Sequence, residues 1–86
     1  MSISFSLVSE DSNARLGKII TKRGIINTPA FMPVGTAATV KALTVDQVNQ
    51  TGSEVILCNT YDLFLRPGVE RIERVGGLHK FMNYSK

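Results

Sequence analysis

The sequence predicts an α/β protein, with an antiparallel β segment over residues 1–29 and a βαβα run over 30–86. Three observations predict it. Residues 3–8 alternate apolar and polar with period two, the mark of a half-buried strand. Ala30–Val34 and Val55–Cys58 are unbroken apolar runs, as in strands covered on both faces. Between them lies a short helix-like stretch opening at Thr44, and strand, helix, strand implies parallel neighbours. At 86 residues the chain holds one domain at most. It is far shorter than the ~250 residues of a closed (β/α)₈ barrel.

Each element has a local reason. After the alternating segment Ile3–Val8, the cluster Glu10-Asp11-Ser12-Asn13 reads as a turn. Leu16–Thr21 is rich in β-branched residues and ends at Lys22-Arg23-Gly24, where the glycine can supply positive φ. Ile25 and Ile26 follow, which predicts a hairpin. Pro29 has no donor for a ladder and closes the region. Ala30–Val34 is the next predicted strand, and Gly35–Thr39 a loop of small residues. Thr44-Val45-Asp46-Gln47 fits a capping box, with Asp46 at the positive end of the helix dipole and Gly52 as the stop. Glu54–Asn59 is a second buried strand that ends in polar residues. Pro67-Gly68 introduces a helix over 69–75, with Val69, Ile72 and Val75 at three-residue spacing. Gly76-Gly77 breaks it before one last turn over 78–84.

The composition points to a folded chain: 43% hydrophobic, 20% charged, net charge +3. No apolar run approaches the ~20 residues that span a bilayer. The N-terminus has neither a basic region nor a long apolar stretch, and the single cysteine forms no internal disulfide, so a cytoplasmic location is expected. Residues 1–43 hold five basic and two acidic groups, whereas 44–86 hold five of each. Arg15, Lys18, Lys22 and Arg23 crowd into nine positions. They form either a candidate RNA contact or a solvated hairpin face.

The residues themselves show little catalytic chemistry. One histidine and one cysteine without paired spacing make no zinc site. Cys58, in an apolar strand, reads as a small core residue, and His79 as a helix-surface or capping group. No base stands beside an orienting partner. Glu70 and Glu73 lie among Arg66, Arg71 and Arg74 and read as a solvated ion-pair face. Asp62 follows a predicted strand end but has no carboxylate partner in the sequence. In parallel sheets chemistry gathers at the carboxyl ends of strands, here Gly35-Thr36 and Asn59-Thr60-Tyr61.

Longer motifs carry a resemblance. Thr28-Pro29-Ala30-Phe31-Met32-Pro33-Val34-Gly35-Thr36 and Thr39-Val40-Lys41-Ala42-Leu43 are followed by Asn59-Thr60-Tyr61 and Leu65-Arg66-Pro67-Gly68. Gly76-Gly77-Leu78-His79-Lys80-Phe81-Met82 then completes the series. In order and spacing these resemble the front part of the tRNA-guanine transglycosylases (queuine tRNA-ribosyltransferases), over about two thirds of the chain. The resemblance implies the leading antiparallel segment and first βα units of a TIM-type (β/α)₈ barrel, left incomplete. It also implies tRNA as partner and the exchange of an anticodon guanine for a 7-deazaguanine of the queuosine pathway. One Asp acts as nucleophile in that chemistry and a second as acid/base.

By the same resemblance Val34 and Leu57 form part of the pocket wall, Asn59, Thr60 and Tyr61 belong to the loop edging it, and Lys41 lies near a homodimer interface. The motif Thr-Asp-Ser-Gly-Gly, which holds the second Asp, would begin just after Lys86, and the nucleophile and zinc ligands would follow further on. The chain is therefore expected to hold no catalytic residue, no metal ligand and no cofactor, and to be inactive alone. Completion would come from a complementary C-terminal chain. The alternative is a non-catalytic module that binds RNA or a partner. Two positions depart from the family's pattern: Cys58 where glycine is common, and Asp62 where bacterial members often have histidine. Asp62 adds negative charge beside a polyanion site.

Overall fold

The computed structural model describes residues 2–86. They form two compact units, one ending at Phe31 and the other running from Met32 to Lys86. No helix among the described residues is long and apolar enough to cross a membrane.

The first unit is a three-stranded antiparallel meander of β1 (Ser4–Asp11), β2 (Ala14–Thr21) and β3 (Gly24–Thr28), in that spatial order. The hairpin expected across Lys22-Arg23-Gly24 is present, whereas Glu10 and Asp11, expected in a turn, extend β1 because they pair with Arg15 and Ala14. Register leaves two-residue turns at Ser12-Asn13 and Lys22-Arg23, because Asp11 pairs with Ala14 and Thr21 with Gly24. The second turn is tied by Thr21, whose Oγ1 donates to the Gly24 carbonyl at 3.0 Å and accepts from the Arg23 amide at 3.1 Å. Phe5, Leu7, Ile19 and Ile26 share one face by register, and a slip between Leu7 and Ser9 marks a bulge. Gly17 lies under the ring of Phe5: a Cβ there would stand 2.5 Å from Cζ. An aromatic laid over a strand glycine restores contact that the missing side chain would leave out.

The second unit holds α1 (Val45–Gln50), α2 (Thr60–Leu65), α3 (Val69–Val75) and α4 (Leu78–Met82), with a 3₁₀ turn at Thr36–Ala38. The capping box is complete. The Gln47 amide donates to Thr44 Oγ1 at 3.1 Å and the Thr44 amide to Gln47 Oε1 at 2.9 Å. Helix α3 has the predicted bounds and ends on Gly76 at φ 115, where the Gly77 amide donates to the Ile72 carbonyl at 2.9 Å.

Two expectations are corrected here. Ala30–Val34 and Glu54–Asn59 are not strands; they meet only at a single parallel bridge, Val34 with Leu57. An apolar run becomes a strand through its neighbours, and among the described residues the pairing of these segments is that one bridge. The parallel direction is as expected. Asn59-Thr60-Tyr61 is not a loop, because Asn59 caps α2.

The unit packs around Val48, Tyr84, Ala38 and Met82, with Ile56, Cys58, Leu63 and Phe81 half-buried beside them. These four are its buried hydrophobic side chains, whereas Tyr61, Phe64 and Leu65 are all more than 60% exposed, as is Phe31 of the first unit.

Candidate functional site

The Val34–Leu57 bridge sets the geometry of the site. The Gly35 amide donates to the Leu57 carbonyl at 2.7 Å, and the Leu57 amide to the Pro33 carbonyl at 2.8 Å. The carboxyl ends of the two segments therefore lie side by side. Bridge partners share a face, so Val34 and Leu57 stand together, 59% and 48% exposed. Alternation sends Gly35, Ile56 and Cys58 to the opposite side, where a Cβ on Gly35 would lie 2.7 Å from Ile56 Cγ2 and 3.2 Å from Cys58 Sγ. Only glycine lets the backbone of this end settle so close to its neighbour.

Asn59 ends the second segment and begins α2. Its Oδ1 accepts from the Tyr61 amide at 2.9 Å and the Asp62 amide at 3.4 Å. The acceptor half of the carboxamide is thus committed to the helix cap. The NH₂ half takes no part in the cap. Thr60 and Tyr61 follow in the first turn of α2, both exposed. The arrangement is an aliphatic pair, Val34 beside Leu57, followed in the chain by the Asn59 cap and the exposed Thr60 and Tyr61 of the first turn of α2.

The remaining residues singled out above fall elsewhere. Lys41 is exposed between Val40 and Ala42, the latter at φ 67. In the first unit Lys22 and Arg23 form the tip of a hairpin, whereas Arg15 and Lys18, three apart on β2, point to opposite faces. Arg15 stands opposite Glu10 in register. The four cations are exposed, yet they do not make one patch.

Cys58 is half-buried with its Sγ 3.8 Å from Met82 Sδ, and burial pushes its thiol pKa up. It is a packing residue and a poor nucleophile. His79 Nε2 lies 3.1 Å from the Lys86 carbonyl oxygen. Glu70, Glu73, Arg66, Arg71 and Arg74 are all exposed, so the face is charged and solvated. No three His, Cys, Asp or Glu among the described residues converge to hold a metal. The sequence reading missed the capping role of Asn59. The signal was present in an Asn directly ahead of the amide-bearing Thr60-Tyr61-Asp62, but the β-prone Thr and Tyr concealed it.

Comparison with known proteins follows the same residues. The family model described as Queuine tRNA-ribosyltransferase matches residues 10–86. The chain is 62% identical over 82 residues to a queuine tRNA-ribosyltransferase of Caulobacter vibrioides, covering 95% of this chain and 22% of that protein. It is 57% identical over 82 residues to that of Rhizobium meliloti, covering 95% and 22%. Against the one from Thermodesulfovibrio yellowstonii it is 59% identical over 80 residues, covering 93% and 21%. The chain spans about a fifth of the length of the curated relatives it matches.

Proposed function

Since this chain belongs to the queuine tRNA-ribosyltransferase family, we propose that it serves as the N-terminal part of a tRNA-guanine transglycosylase. It supplies the leading antiparallel sheet and the first βα units of a TIM-type (β/α)₈ barrel. Within that barrel Val34 and Leu57 line the pocket, and Asn59, Thr60 and Tyr61 edge it, the Asn59 NH₂ group donating to the bound base or its nucleotide. Lys41 lies toward a second subunit. The two catalytic aspartates and the zinc ligands belong to a complementary part, and this chain alone does not catalyse the exchange. With tRNA as partner, the work is cytoplasmic.

The observation that carries this reading is the parallel Val34–Leu57 bridge, which aligns two carboxyl ends as the barrel's catalytic face requires. The test is co-expression of the chain with the remaining four fifths of a matched relative, followed by labelled guanine exchange into tRNA. Exchange is expected from the pair and absent from the chain by itself. Exchange by the isolated chain, or failure of the two parts to associate, overturns the proposal.

The second reading, a non-catalytic RNA-binding or partner-binding module, draws support from the exposure of Arg15, Lys18, Lys22 and Arg23. It is weakened because Arg15 and Lys18 face opposite ways.

A further inference from the structure

Helices α2 and α3 enclose an open groove of about 530 Å³ that is separate from the Val34–Leu57 wall. Its lining includes Phe64, Val69, Glu70, Arg71 and Arg74. Phe64 is 66% exposed and Val69 56%, an apolar surface in contact with water. Arg71 and Arg74 are exposed and lie three apart on α3. Their guanidinium groups are opposed in the lining only by the Glu70 carboxylate, which leaves the groove cationic. An exposed aromatic side chain beside exposed arginines offers a π-face for an unstacked base and planar forks for phosphate. A duplex would keep its bases stacked and could use only the charge.

We propose that this groove binds single-stranded RNA, a base stacking on Phe64 while Arg71 and Arg74 hold the adjoining phosphates. The choice of RNA rests on the transglycosylase reading; the groove and its chemistry do not. The occupant is a nucleotide outside the exchange pocket, so the contact adds affinity and register without touching the reacting base.

The test is binding of a labelled oligouridylate of about twelve nucleotides to the 86-residue chain. Affinity is followed between about 50 and 200 mM salt. Arg71→Gln/Arg74→Gln is expected to reduce the slope of log affinity against log salt by roughly 1.4, two single-strand phosphate contacts. Phe64→Ala is expected to weaken binding about tenfold with the slope unchanged, as loss of one stacked base does. These side chains are exposed, so circular dichroism should show the fold intact in each variant. The proposal is overturned if the oligonucleotide does not bind, or if the double variant keeps the full slope. It is equally overturned if Lys22→Gln/Arg23→Gln abolishes the slope by itself. Displacement of the oligonucleotide by the complementary transglycosylase part would mark the groove as a protein interface and also overturn it. None of these outcomes affects the co-expression result, so the two readings fail separately.

Discussion

Gly35→Ala tests whether the candidate site depends on the close approach of its two segments. Gly35 has φ −109 and ψ 59. Its φ is ordinary for an L-residue, so little of the effect should come from a forbidden backbone. The difficulty is space, since the new Cβ would lie 2.7 Å from Ile56 Cγ2, 3.2 Å from Cys58 Sγ and 3.5 Å from Met82 Cε. The Cys58 thiol can rotate away. The Ile56 γ-methyl is attached directly to a branched Cβ and has few alternatives, so the segments must move apart. Overpacking of this kind costs about 1–3 kcal/mol, offset by roughly 0.4–1 kcal/mol from the stiffer unfolded chain. A net loss of about 1–2 kcal/mol follows, and each kcal/mol lowers Tm by about 4–8 °C in a chain of this size. Thermal unfolding by circular dichroism reads it directly. Faster hydrogen exchange at the Gly35 and Leu57 amides, which carry the bridge, should accompany the loss. The double variant with Ile56→Ala should lose less than the sum of the singles, because the clashing methyl is gone. A Gly35→Ala chain as stable as the parent, with unchanged exchange at those amides, would refute the reasoning.

Two further perturbations address neighbouring features. Thr44→Ala removes the hydroxyl half of the α1 capping box and Asn59→Ala the cap of α2; each should reduce stability by about 1 kcal/mol in urea titration, and Asn59→Ala should also lower exchange activity in the co-expressed pair. The Tyr84 pKa is raised above the ordinary 10.0, by burial first and then by the charge of Glu54. The fold therefore favours the neutral phenol, so its contribution is complete below pH 10 and is lost as pH rises through the folded value. Tyr84→Phe should flatten the alkaline fall in stability above pH 10 at little cost near neutrality, since the bond to the Ser53 carbonyl is long at 3.4 Å. Cys58 shifts in the same direction from 9.0, so the comparison is best made with Cys58→Ala in both chains.

What could be read in advance was what is local in sequence. The α1 cap needs only Thr44 and Gln47 three positions apart, and α3 is bounded by its own punctuation, Pro67-Gly68 before and Gly76-Gly77 after. The meander follows from short turns that dictate register. Strand formation at 30–34 and 54–59 depends on partners far along the chain, and apolar content says only that a segment wants cover. With one partner available, each contributes a single bridge rather than a ladder. The site was legible as a pair of segment ends, but not in its hydrogen bonding. Whether the Asn59 amide caps a helix or faces a ligand is decided by the conformation of Tyr61 and Asp62, which one-dimensional spacing does not specify.

The small number of buried side chains has a consequence for the life of the polypeptide. With Phe31, Tyr61, Phe64 and Leu65 all more than 60% exposed, the 86-residue chain taken alone offers apolar surface to a protease, and its lifetime under proteolysis should lengthen when that surface is covered. A partner at a hundred times its Kd adds about 2.7 kcal/mol to the apparent stability, a large share of what a domain of this size possesses. Protection of the 86-residue chain from limited proteolysis should therefore report the covering of this apolar surface.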